Sequence, residues 1–173
     1  MHRHPTRVMT LIALLFCGLI LPLGGALAQQ KTLKEQLVGA WNLVSSVTDL
    51  PDGTKQQIFG TTPKGILILD ASGRYANVVG RPDRPKFQAT SNVRTAATAE
   101  EWAAAARDFG ANLGAWSVNE ADKMLIRKLE IALIPNNDTQ ETKAAVTLAG
   151  DDLTLTVVPA AGGKNVTVYR RAK

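Results

Sequence analysis

Leu37-Val38-Gly39-Ala40-Trp41-Asn42-Leu43-Val44 is a Gly-x-Trp triplet set in an apolar run that continues through Ser45, Ser46, Val47 and Thr48. A glycine inside a strand lets the backbone approach another segment closely. An indole beside it is large and flat enough to plug one end of a closed sheet. The run predicts the first strand of a small antiparallel barrel, over residues 37–49.

Upstream of this run, His2, Arg3, His4 and Arg7 form a basic start, and residues 8–23 are almost wholly apolar. Ala26-Leu27-Ala28 then supplies the small-x-small pattern that signal peptidases accept. Pro22, Gly24 and Gly25 break the apolar core before it is long enough for a comfortable membrane span. Phe16 precedes Cys17 where a lipoprotein wants a small residue. The expected organisation is a cleaved signal peptide over residues 1–28, a disordered lead-in over 29–36 and one domain over 37–173. The mature protein is then periplasmic or secreted, with no membrane span.

Loss of residues 1–28 removes Arg3 and Arg7 and no acid, so 18 Lys and Arg face 15 Asp and Glu, and the net charge falls from +5 to +3. No block of bases stands out, which argues against a nucleic-acid partner. Both histidines and the single cysteine lie in the expected signal peptide. A chain without them has no Ser-His-Asp triad, no thiolate nucleophile, no Cys/His zinc site and no disulfide. No metal and no cofactor is expected. Oligomeric state is not set by the sequence.

Downstream, Pro51-Asp52-Gly53 is a turn, followed by an expected strand over residues 54–59. Residues 64–70 and 74–80, joined by Ala71-Ser72-Gly73, read as a hairpin. Thr98-Ala99-Glu100-Glu101 is a capping box opening a short helix in which Trp102, Ala105, Ala106 and Phe109 form an apolar stripe. A second Gly-x-Trp, Gly114-Ala115-Trp116, lies in a strand over residues 113–118. Strands over 123–134, 143–149, 153–158 and 165–171 complete the set. In Leu153-Thr154-Leu155-Thr156-Val157 the period is two, with threonines on one face and aliphatics on the other. The expected fold is all-β with one short helix: an antiparallel up-and-down barrel of eight or nine strands, the helix between strands four and five. Closure removes the exposed sheet edges.

From Leu37 to Arg171 the chain resembles the bacterial lipocalin-like domain family, one of the calycin barrels. The resemblance rests on Leu37-Val38-Gly39-Ala40-Trp41, on Pro63-Lys64-Gly65-Ile66-Leu67 followed by Asp70-Ala71-Ser72-Gly73-Arg74, and on Arg81-Pro82-Asp83-Arg84-Pro85-Lys86-Phe87. The capped helix with Leu113-Gly114-Ala115-Trp116 and Pro135-Asn136 also fit. Lys128 departs from a frequent histidine, and Asn137 from a frequent tryptophan. Tyr169-Arg170-Arg171 stands in place of a Trp-x-Arg ending. The resemblance implies a lipocalin-like barrel with an internal cavity and no defined ligand. It also singles out Arg171 to stack on Trp41 beside Gly39, closing the barrel through a cation–π contact of about 0.5–2 kcal/mol.

Tyr75 and Asn77 share a strand face and offer a hydroxyl and an amide to a ligand. Trp102, Phe109 and Trp116 are candidates for an entrance, although a helix stripe is more often core, and Phe87 is a ligand-binding candidate placed at the barrel rim. Arg81 and Arg84 form a candidate anion-binding loop, or Asp83 pairs with one of them; the pairing is favoured. Lys128 and Glu130 share a face opposite Leu129, Ile131 and Leu133. Facing water they are a surface pair, the favoured arrangement; facing inward, Lys128 orients a ligand or the two act as base and acid. Two functions therefore stand beside each other: a binding barrel for a small, mainly apolar molecule, and a cofactor-free cyclase or isomerase using Lys128 and Glu130. A third is an envelope protein-interaction domain without a small ligand.

Overall fold

A computed structural model describes residues 31–160 and 162–173; the expected signal peptide lies outside the described residues. Among the described residues three short α-helices and nine strands follow one another, with one 3-10 turn at Pro135–Asn137: α1 (Leu33–Leu37), β1 (Gly39–Asp49), β2 (Lys55–Gln56), β3 (Lys64–Leu69), β4 (Arg74–Gly80), α2 (Val93–Ala96), α3 (Ala99–Arg107), β5 (Phe109–Asn119), β6 (Met124–Ala132), β7 (Glu141–Ala149), β8 (Asp152–Val157) and β9 (Lys164–Arg171). Strands β1 and β3 to β9 pair antiparallel in that order, and β9 returns to β1 from Trp41↔Arg171 to Asp49↔Lys164. This is a closed eight-stranded barrel. The ninth strand, β2, extends β1 through Thr48↔Gln56 and Asp49↔Lys55 only. Residues 54–59, expected as a full strand, supply just those two ladder positions, and Phe59 turns back as loop.

Alternation sets what faces inward. On β8, Leu153 and Leu155 are buried and Thr154 and Thr156 only partly so. Trp41, Leu67, Leu69, Tyr75, Trp116, Leu125, Leu153, Leu155 and Tyr169 form the core with Leu37 of α1. Leu37 and Trp41 have no exposed surface at all, so α1 is a floor under the barrel.

The expected disordered lead-in is corrected in part. Thr32 and Glu35 make a reciprocal capping box around α1, and the Glu120 carboxylate accepts from the Leu33 and Lys34 amides, both at 2.9 Å. Negative charge at a helix N-terminus is favourable, and here it fixes the helix against the β5–β6 turn. The expectation of one helix is likewise corrected to three, since α2 forms a single turn ahead of α3. The capping box at Thr98 and Glu101 is present.

A bulge at Glu130 shifts the β5–β6 register, with Leu113 opposite Ile131 and Gly114 opposite Leu129. One extra residue in a strand puts neighbours on the same side. Glu130 and Ile131 both face water, and Ile131 is 56% exposed. Leu129 is buried, so the expected common face of Leu129, Ile131 and Leu133 does not form. Gly114 makes the bulge possible: a Cβ there would stand 2.1 Å from the Lys128 carbonyl oxygen.

Candidate functional site

Above the core the barrel holds a cavity of about 260 Å³. Leu43 and Ser46 of β1, Asn77 and Val79 of β4, Gly110 and Asn112 of β5, Arg127 of β6, and Asn165, Thr167 and Tyr169 of β9 line it with Phe59. These are inward positions of the barrel, reached by the period of two. Gly110 leaves the space that Phe59 and Val79 border: a Cβ there would meet Val79 at 3.1 Å and Phe59 at 3.4 Å. Near the mouth Asp49 takes Lys55 of β2 at 3.2 Å and Lys164 of β9 at 3.5 Å. These contacts hold its carboxyl below the ordinary range, with the Lys55 hydrogen bond the main cause.

The polar lining is connected. The Tyr169 hydroxyl donates to the Asn77 Oδ1 at 3.3 Å. The Asn165 amide donates to the Thr48 Oγ1 at 2.9 Å, and the Thr167 hydroxyl to the Asn165 Oδ1 at 2.9 Å. At the cavity floor Arg127 lies with its Cζ 5.7 Å from the centre of the Tyr75 ring. Its Nε is buried without a hydrogen-bond partner, as are the Tyr75 hydroxyl and the Thr142 Oγ1. Thr142 is the β7 residue directly opposite Arg127. Burial pushes both the Tyr75 and Tyr169 hydroxyls above the ordinary tyrosine value, and the Arg127 charge opposes that rise at each. One guanidinium therefore acts on two tyrosines across the barrel interior.

The sequence matches the lipocalin-like domain family over residues 38–169. The chain belongs to that family. No curated protein matches it. Among solved structures, this lipocalin-like chain is similar to a redesigned β-barrel, at 10% identity and a TM-score of 0.43 over 83% of this chain and 98% of that one. Fatty-acid-binding protein 1 of Echinococcus granulosus gives 14% identity and a TM-score of 0.38, covering 80% and 99%. A mutant of the fluorescent protein UnaG gives 12% and 0.37, covering 80% and 97%.

The lipocalin-like barrel distributes the candidate residues over four places. Asn77 lines the cavity, and Tyr75 sits beneath it in the core, under Arg127. Trp116 is core as well, its indole donating to the Asp70 carbonyl at 2.9 Å. It is a floor residue and not part of an entrance. Phe87, Trp102 and Phe109 line a separate cleft with Arg84, Ala105, Ala106 and Leu133. That cleft shares no residue with the cavity, because Phe109 is the outward neighbour of inward Gly110. Lys128 and Glu130 face out, and Glu130 is taken by Arg74 through two hydrogen bonds. Lys128 is thus outside the cavity.

Arg81 donates to both Asp83 oxygens, at 3.2 and 3.1 Å, and holds that carboxyl below its ordinary value. Arg84 donates to the Arg81 carbonyl at 3.1 Å and lies over the Phe109 ring at 4.8 Å. Both guanidinium groups are engaged within the loop. At the closed end Arg171 lies 4.0 Å from the centre of the Trp41 ring and donates to the carbonyls of Gln36 at 2.7 Å and Val38 at 3.2 Å. The Trp41 indole donates to the Leu37 carbonyl at 2.8 Å. Gly39, at φ 134°, clears the way, since a Cβ there would lie 3.2 Å from the Arg171 Nη1.

Arg127, Phe59, Ser46, Asn112, Asn165 and Thr167 line the cavity without having been expected there. Arg127 was within reach: the alternation that pairs Lys128 with Glu130 puts Arg127 on the face of Leu125 and Leu129. Among the described residues no helix is long and apolar enough to cross a membrane, and no cluster of His, Cys, Asp and Glu is placed to hold a metal ion.

Proposed function

We propose that this lipocalin-like protein is an exported carrier that binds one small molecule inside its barrel. The observation that carries the reading is the 260 Å³ cavity with its mixed lining, enclosed by a ring of hydrogen-bonded strands. Ligand sites are concave, with apolar walls and a few convergent polar groups. Leu43, Phe59 and Val79 supply the first; Asn77, Asn165, Thr167, Tyr169 and Arg127 supply the second. An apolar cavity of about 150 Å³ admits benzene, so this one suits a molecule somewhat larger than a single ring, or a short chain. The lining asks for more hydrogen-bonding groups on that molecule than the sequence suggested. The rival cyclase reading loses the pair on which it rested, because Lys128 and Glu130 lie outside the barrel.

The test is to purify the protein from its native host, extract it with organic solvent and identify any stoichiometric small molecule by mass spectrometry. Occupancy near one per chain, lost in an Asn112→Phe variant that fills the cavity, is the expected result. A chain that emerges empty, and that takes up no small molecule when screened, would contradict the carrier reading.

A further inference from the structure

Arg127 is the residue that a merely apolar carrier does not explain. It is a permanent cation on the inner wall of the barrel, lining the cavity. None of the seven ion pairs among the described residues includes it. The carboxylates nearest in sequence point away: Glu130 faces water on the other side of β6 and is held by Arg74. Three polar atoms are left unpartnered at the same level of the barrel, the Arg127 Nε, the Tyr75 hydroxyl and the Thr142 hydroxyl. Buried polar groups in native proteins are almost always paired, and the Arg127 guanidinium lines the cavity without a counter-charge among the described residues. Of these groups Arg127 alone borders the cavity, and a guanidinium matches a planar carboxylate with two parallel N–H bonds.

We infer that the carrier's ligand bears a carboxylate, received at the cavity floor by the Arg127 guanidinium; this rests on the carrier reading above. Charge balance favours a carboxylate over a phosphate, since one guanidinium meets one negative charge whereas a phosphate monoester carries close to two. Size agrees. The acid group takes the polar floor, while Leu43, Val79 and Phe59 cover the apolar body nearer the mouth. An amine of the same shape is excluded by repulsion from Arg127.

Titration calorimetry of the intact purified protein with octanoate, octan-1-ol and octylamine tests this. Octanoate is expected to bind about ten- to a hundredfold more tightly than octan-1-ol, the worth of a hydrogen bond to a charged group, and octylamine not measurably. Arg127→Met should collapse the octanoate-to-octanol ratio towards one. Circular dichroism establishes that each variant is folded. If Arg127→Met is not, Arg127→Lys, which keeps the charge and loses the fork, should still reduce the ratio. Equal binding of octanoate and octan-1-ol, or a ratio that survives these substitutions, would overturn the carboxylate inference and leave the carrier standing. Failure of both the acid and the alcohol to bind would overturn the two together.

Discussion

At the scale of single residues, Trp41 and Arg171 close the barrel by three kinds of contact at once. The indole is fully buried, its N–H is satisfied by Leu37, and the guanidinium stacks on it while donating to two carbonyls of the chain entering β1. Trp41→Ala is expected to lower the free energy of unfolding by about 3–5 kcal/mol, the usual cost of deleting a buried aromatic. Urea denaturation measures it, and a loss under 1 kcal/mol would show that the floor carries little. Gly114 is a different case. Its Cβ would be driven into the Lys128 carbonyl, and because that atom is backbone the strand itself must move. Gly114→Ala should cost about 3 kcal/mol or more, whereas Gly150→Ala, in open space at a turn, loses only what its positive φ costs. Both glycines were visible in the sequence. Only the one in a Gly-x-Trp triplet hinted at a close backbone approach, and the bulge that it permits was not legible.

Among the elements, the hairpin of β3 and β4 was legible to within a residue, because turn chemistry and alternation agree there. The α3 capping box was equally plain. Helix α1 was missed although Thr32-Leu33-Lys34-Glu35 carries the same box; five residues are too few to show a helical period, and its stability comes from Glu120 and the core. Glu120→Ala should therefore loosen α1, lowering Tm by a few degrees and exposing the Leu33 and Lys34 amides to faster hydrogen exchange. Unchanged exchange at those two amides would mean that Leu37 alone holds the helix. The Arg74–Glu130 pair lies outside the barrel on exposed side chains, where ion pairs contribute little. Glu130→Gln should leave ligand binding unaltered, and a large loss of binding would place the site on the outer face instead.

For the whole molecule, closure is what converts an alternating sheet into a container, and the sequence conveyed the container better than its contents. Strand alternation identifies a face as inward without saying which inward residues will be crowded into core and which left around a space. That depends on where α1 closes the floor and where Gly110 opens the wall. The same architecture sets a pH window. Hydrogen bonds and ion pairs hold Glu35, Asp49, Glu101, Glu130 and Asp152 below their ordinary values in the folded state. Their contribution is present above the unfolded values and is lost as pH falls below about 4. Tyr75 and Tyr169 are raised by burial, so stability should also fall as pH rises past about 10, where the unfolded chain gives up these protons first. Thermal unfolding followed from pH 3 to 11 should show a plateau with both shoulders, and a missing alkaline shoulder would contradict the burial of the two tyrosines.

The central claim, that the barrel interior is where a ligand sits, is tested most directly by amide and side-chain NMR shifts during titration with octanoate. The largest changes should fall on Asn77, Gly110, Asn112, Arg127, Thr167 and Tyr169. Changes confined to the outward residues Val78, Leu113 and Ile131, with the interior set silent, would contradict it.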